Sequence, residues 1–426
     1  MVKLKPSDER RNESGQDIEL DGSCDVNLCK VQEACPNNRS FLIVAFATLF
    51  LLMGATIPTP LYGLYRVTFA LSPLAITLIY AAYSVGVVPT LFFFGPLGDA
   101  LGRKPLLIIA ILFAILGTLI LGFATSFDWL IIGRLAQGIG IGAVLGNATA
   151  ALVEFEPNRN KQRASQIAGM AQLGGLGLGP LTAGLMAEYL FAPTLLVYLL
   201  EFILLILALI LILVGVPRSK GSEKFHLNKP SFPPAIVSFI SASLAAALVL
   251  TNSGLYFSLN PTFALDILHV NNIALGGIIS SIMVFTAVAT QKFLWNHLSR
   301  NLEIGGLISL IIGLSLISIT TVHSSIVLLV IAAIFSGIGF GAAFMGAINV
   351  INSIAPSDKR GNVTSFFYAI SYAALGVPII GLGLALQYLN IFTAVREFVI
   401  IIIIIAIIDI PLILYSRRDL KRETLK

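Results

Sequence analysis

The sequence predicts an all-α integral membrane protein: twelve transmembrane helices in two six-helix bundles, with both termini cytoplasmic. Three observations predict it. Hydrophobic residues make up 57% of the 426 residues and charged ones only 12%, against about 25% charged in soluble domains. No globular core of this size could hide so much apolar surface, so lipid must be the solvent. Apolar runs long enough to cross a bilayer, which takes about 20 residues, recur twelve times, and one polar, proline-rich break, "VPRSKGSEKFHLNKPSFPP" (216–234), splits them six and six.

Residues 1–40 are charged and low in hydrophobicity, which reads as a disordered cytoplasmic tail and not a cleavable leader. The tail holds all three cysteines, Cys24, Cys29 and Cys35, without a Cys-x-x-Cys or histidine set. Free thiols are expected there, and no metal. The first bundle covers 41–216, with crossings near 41–61, 73–95, 105–125, 129–153, 164–189 and 194–216. Pro58 and Pro60 bend the tip of the first crossing, and Tyr62 and Tyr65 beside them suit either an outer gate or a headgroup belt. Residues 217–234 form a cytoplasmic linker. The second bundle covers 235–415, with crossings near 235–258, 273–294, 303–322, 325–351, 363–387 and 391–415, and residues 416–426 close the chain as a cytoplasmic tail. Charge fixes the orientation. With the N-terminus inside, Arg103 and Lys104, then Arg159, Lys161 and Arg163, the basic linker, and Lys359 and Arg360 all face the cytoplasm. Only Arg66 and Arg396 remain outside, so the net charge of +5 reflects membrane topology and predicts no nucleic-acid partner.

An internal repeat supports the two halves. "GIGIGAVLGNATAALVEFEP" (138–157) and "GIGFGAAFMGAINVINSIAP" (337–356) lie 199 residues apart, share glycines and a closing proline, and precede basic loops. Such halves point to parallel repeats with a site between them near the midplane. Gly138, Gly142 and Gly146 form a small-xxx-small stripe, read as helix packing and not as a nucleotide loop. Arg134, one turn earlier, has Ala333 as its repeat partner. Packing is therefore kept in both halves while the charge is not, which marks the charge as functional. It lies roughly 9 Å inside the outer end of its helix. Intramembrane charges face cavities and mark ion or substrate paths, although snorkelling to the headgroups is open at that depth.

The loop "GPLGDALGRKPLL" (95–107) joins the second and third crossings on the cytoplasmic side. Its glycines permit close approach and a tight turn, and Asp99 can accept from a helix N-terminus or pair with Arg103. The spacing Gly95-x-Leu97-x-Asp99-x-x-Gly102-Arg103-Lys104 resembles the loop signature of the major facilitator superfamily, departing at Ala100. "RLAQG" (134–138) is similar to that superfamily's fourth-helix signature, and "GGLGLGPLTAG" (174–184), with Gly179 and Pro180, partly resembles its antiporter motif. The resemblance covers residues 41–415. It implies alternating access, a cytoplasmic latch of Asp99 and Arg103 with Glu154 as further partner, and a cavity position for Arg134. It also implies proton coupling through a buried acid. The first crossing has none, which leaves Glu188, Glu201 and Asp409. Glu188 is better placed by its helix and Glu201 by its depth; either also suits an interfacial anchor.

Further cavity candidates are Tyr83, Gln137, Asn147 and Gln172 in the first half. Asn252, Tyr256, Tyr368 and Tyr372 are their second-half counterparts. The expected function is proton-coupled efflux of small amphipathic compounds or metabolites by an antiporter in the cell (inner or plasma) membrane. An importer or facilitator of a nutrient or organic anion is the alternative, and a non-transporting receptor a remoter one. The partners expected are a small-molecule substrate, protons and lipid, with the chain a monomer and no cofactor. No nucleophile with base, metal set or catalytic carboxylate pair clusters in the sequence, so no enzyme is expected.

Overall fold

The computed structural model describes residues 37–218, 232–262, 272–294, 299–356 and 359–423. The cysteines, most of the linker and the side chain of Asp99 lie outside the described residues. Among those described, all regular structure is helical. The first half holds α1 (Asn38–Thr56), α2 (Tyr62–Thr68), α3 (Pro73–Leu101), α4 (Arg103–Gly122), α5 (Phe127–Phe155), α6 (Lys161–Tyr189) and α7 (Pro193–Gly215). The second holds α8 (Ile236–Thr262), α9 (Ile273–Leu294), α10 (Ser299–His323), α11 (Ile326–Ile354), α12 (Arg360–Ala385) and α13 (Ile391–Glu423).

Local chemistry sets the helix ends. Pro58 and Pro60 fall in the turn between α1 and α2, where their missing N–H groups break the ladder. Ser72 caps α3 by accepting from Ala75 N at 3.2 Å, with Pro73 at the first helical position. Gly102, at φ 87°, turns the chain sharply from α3 into α4, a conformation only glycine takes freely. Asn160 caps α6 by accepting from Arg163 N at 3.0 Å.

Eleven of these helices are long and apolar enough to cross a membrane. The exception among the long ones is α6: at 29 residues it matches α5 in length. Its glycines, glutamines and basic start, "KQRASQIAGMAQLGGLGLGP", lower its hydropathy. It packs between α1 and α9, so protein and not lipid covers much of it. The outer faces behave oppositely. Leu199, Ile203 and Ile210 of α7 and Ile400, Ile404 and Ile408 of α13 are exposed, two apolar stripes that suit lipid.

The packing repeats between halves. In the first, α5 lies on α3 and α4, and α1 on α6 and α7; in the second, α11 lies on α9 and α10, and α8 on α12 and α13. Close approaches match in detail. A side chain on Gly138 would meet Tyr83 O and Gly86 of α3, and one on Gly337 would meet Met283 O and Thr286 of α9. Thr56 of α1 donates to Leu176 O of α6 at 3.0 Å, and Thr251 of α8 donates to Ala374 O of α12 at 2.8 Å. Two seams join the halves, α6 with α9 and α3 with α12, and the repeat exchanges one for the other.

Candidate functional site

A cavity with about 400 Å³ of non-atom space, open solvent included, lies between the halves. From the first half, Ala55 and Thr56, Tyr80 and Tyr83, Arg134 and Leu176 line it. From the second, Leu250, Ser253, Phe257, Phe340, Tyr372 and Leu375 line it. Arg134 is thus directed to the molecular centre, only 1% exposed. Its Nη1 donates to Ala55 O at 2.8 Å and to Gln137 Oε1 at 2.9 Å, and its guanidinium carbon lies 4.8 Å from the centre of the Tyr83 ring. The cation is held by neutral oxygens and a ring face, without a carboxylate in contact among the described residues.

Behind it runs a buried polar chain. Gln137 turns its amide away from the cavity, donating to Gly54 O at 3.2 Å and to Glu201 Oε1 at 3.4 Å. Glu201 is 1% exposed and its second oxygen has no hydrogen-bond partner among the described residues. It stands on the inward stripe of α7, with Tyr198 and Leu205. Gly54 makes its room, since a Cβ there would collide with Glu201 Oε1. The structure therefore joins Arg134, Gln137 and Glu201 in one hydrogen-bonded chain from the central cavity to α7. Glu188 sits elsewhere: its Oε2 accepts from Ile273 N at 2.7 Å, capping α9 across the α6–α9 seam. Asp409 is buried in α13 with neither oxygen partnered among the described residues.

The remaining candidates separate. Tyr83 and Tyr372 line the cavity with ring centres 6.4 Å apart across the halves. Tyr368 packs against Phe344 and Phe367. Gln172 donates to Thr149 Oγ1 at 3.3 Å, tying α6 to α5. Asn252 and Tyr256 do not line the cavity; Asn252 is fully buried, and Tyr256 donates to Ser336 Oγ at 3.4 Å inside the second half. Tyr62 and Tyr65 are buried, the latter bonded to the Tyr198 hydroxyl at 2.8 Å, so neither belongs to a headgroup belt. Tyr80, Phe257 and Phe340 were not expected from the sequence. Tyr80 lies one turn from Tyr83, and Leu250, Ser253 and Phe257 share a helical stripe that Asn252 and Tyr256 do not.

Near the start of α4 a second cluster forms. Arg103 Nε pairs with Glu154 Oε1 at 3.0 Å, and its Nη1 donates to Asn147 Oδ1 at 3.2 Å. Asn147 in turn donates to Phe94 O at 2.9 Å and Ala143 O at 2.8 Å, so it belongs with Arg103 and not with the cavity. Gly98 leaves it space. Gly95 lies one turn earlier on α3. Lys104 Nζ donates to the last carbonyls of α7, Leu213 O at 2.7 Å and Val216 O at 2.6 Å, where the helix dipole favours a cation. Gly179 fits against Thr56 and Met53 O of α1, and the Pro180 carbonyl against Gly277 of α9.

Comparison with known proteins agrees with this plan. The family model described as Major Facilitator Superfamily matches residues 44–378. Multidrug resistance protein MdtL of Shewanella oneidensis is 26% identical over 367 residues, covering 80% of this chain and 88% of its own. An MFS-type transporter of Aspergillus terreus is 35% identical over 95 residues, 22% of this chain, and a triacylglyceride transporter of Mycobacteroides abscessus 29% over 204 residues, 47% of this chain. Those two matches span only 17% and 38% of the relatives' own lengths. A bacterial homologue of the human lysosomal transporter Spinster, solved inward-facing and unoccupied, superposes with a TM-score of 0.66 at 17% identity, covering 90% of this chain and 97% of that one. That likeness is one of fold alone. With the family match spanning most of the chain and its helices packed as two like halves about a central cavity, the protein is an integral, multi-pass membrane protein and a member of the Major Facilitator Superfamily of transporters.

Proposed function

We propose that the chain is a proton-coupled secondary transporter that works by alternating access and carries small amphipathic compounds outward, with Glu201 as its proton site. The observation that carries this reading is the hydrogen-bonded chain of Arg134, Gln137 and Glu201 behind a cavity shared by both halves. Intramembrane acids are rare and mark proton relays. This one is buried and touches the cavity cation through a single amide, so a proton bound at Glu201 and a ligand bound at Arg134 can affect each other. The relative named a multidrug resistance protein supports the efflux direction. In this reading α6 is a twelfth crossing, both termini are cytoplasmic, and bundles 41–216 and 235–415 rock as monomeric halves about the cavity. Asp99, Arg103, Asn147 and Glu154 form the cytoplasmic latch, with Gly95, Gly102 and Lys104 shaping it.

Everted vesicles with an acid interior test it, using tetracycline as the amphipathic probe. Wild type is expected to accumulate the probe. Glu201→Gln is expected to lose accumulation against a gradient while still exchanging the probe downhill. Accumulation by Glu201→Gln at the wild-type level overturns the assignment of the proton site, and loss of it in Glu188→Gln alone moves that site to α6.

A further inference from the structure

The cavity's chemistry narrows its ligand. Arg134 is its one charged lining group, and no acidic side chain lines it among the described residues. Two donors on its lining residues are without partners among the described residues: Arg134 Nε and the Tyr80 hydroxyl, both on side chains more than nine-tenths buried. Burying an isolated cation is costly, and a carboxylate in hydrogen-bonding geometry offsets that cost. No carboxylate in the lining would offset a second cation, which would meet Arg134 as a like charge. The rest of the wall includes four aromatic rings, Tyr83, Tyr372, Phe257 and Phe340. Flat rings of this kind receive an aromatic body in offset or edge-on stacking.

We propose that the cavity binds an aromatic monocarboxylate of one or two rings, its carboxylate on the Nε edge of Arg134 and the Tyr80 hydroxyl, and its rings among Tyr83, Tyr372, Phe257 and Phe340. This rests on the transporter reading above and narrows its substrate from amphipathic compounds in general to anions. The docked carboxylate supplies the countercharge that Gln137 and Ala55 only approximate.

Three probes with one ring system separate the alternatives: naphthalene-2-carboxylate, the neutral 2-naphthamide and the cationic 2-naphthylmethylammonium. Binding to the purified full chain is measured by calorimetry. The carboxylate is expected to bind at least about tenfold tighter than the amide, the usual scale of one charge-assisted bond, and the ammonium weakest. Arg134→Gln is expected to remove the gap between carboxylate and amide while the amide still binds. Tyr80→Phe is expected to weaken the carboxylate a few-fold and keep the order of the three. Should Arg134→Gln not fold, Arg134→Lys keeps the charge but loses the planar fork; it is expected to weaken the carboxylate yet keep it ahead of the ammonium. The proposal is overturned if the amide or ammonium binds as tightly as the carboxylate, if Arg134→Gln preserves the gap, or if none of the probes binds at millimolar concentration. Vesicle uptake of the same probes separates the two readings. Transport of the ammonium or amide without the carboxylate refutes the anion and leaves the transporter standing. Tight carboxylate binding with no transport of any probe does the reverse.

Discussion

At the scale of single residues, the contact between Gly54 and Glu201 is the most exposed to test. A Cβ on Gly54 would strike Glu201 Oε1 and lie 3.0 Å from the carboxyl carbon. Both groups are enclosed, so the carboxylate has nowhere to retreat without leaving Gln137. Overpacking of this kind costs about 1–3 kcal/mol. Gly54→Ala is therefore expected to lower the thermal midpoint in detergent by several degrees, and to do so far less in a Glu201→Ala background, since contacting residues are not additive. Equal shifts in both backgrounds would show that the carboxylate does not occupy that space. The residue scale also shows what the sequence could tell. Arg134 stood out because a guanidinium inside an apolar run is costly wherever it points. Glu201 did not stand out over Glu188. In a helix such as "PTLLVYLLEFILLILALILILVG", the lipid face is as apolar as the inward face, so hydropathy cannot say which way a lone acid turns.

At the scale of helices, glycines set how closely neighbours approach, and the structure divides the stripe on α5 unequally. A side chain on Gly142 would meet Thr90 Cβ and Val87 O, each at 2.9 Å, and one on Gly341 would meet Thr290 Cβ at 2.9 Å and Ala287 O. Gly146 continues the same stripe, yet a Cβ there finds nothing within 4 Å. Ala at Gly142 or Gly341 is expected to destabilise by a similar amount, about 1–3 kcal/mol. Gly146→Ala is expected to be neutral or to stabilise by about 0.4–1 kcal/mol, because it removes only unfolded-chain freedom. Thermal unfolding of the three variants checks this, and a Gly146→Ala as damaging as Gly142→Ala would contradict the packing. Spacing alone could not make the distinction, since Gly138, Gly142 and Gly146 repeat every four residues. Cavity residues were missed for a related reason. Polar side chains such as Asn252 and Tyr256 attract a functional reading, but it is the neighbouring stripe of Leu250, Ser253 and Phe257 that faces the centre. Which stripe faces inward depends on how α8 is rotated against α11 and α12, and a helix apolar on most sides does not record that.

At the scale of the whole molecule, the sequence revealed the repeat in one pair of helices, α5 and α11, where glycine identity is kept. The other pairs match by geometry and not by letters: Thr56 on Leu176 O answers to Thr251 on Ala374 O, and Gly184 against Gly277 answers to Gly383 against Thr77. Small and hydroxyl residues substitute for one another at such contacts because each lets two backbones meet, so identity fades while the interface persists. That interface consists of two seams, and alternating access requires at least one of them to part. On the α3–α12 seam, a Cβ at Gly376 would lie 3.3 Å from Ser84 Cβ, close to the separation a disulfide needs. With Cys24, Cys29 and Cys35 replaced by serine, the pair Ser84→Cys and Gly376→Cys is expected to cross-link on mild oxidation. Probe accumulation in vesicles should then fall to background and return on reduction, while each single variant transports throughout. Rigid halves pinned at this point cannot exchange the cavity between the two sides, so a fully cross-linked protein that still accumulates the probe would mean that this seam does not open and that access comes from a movement within the halves.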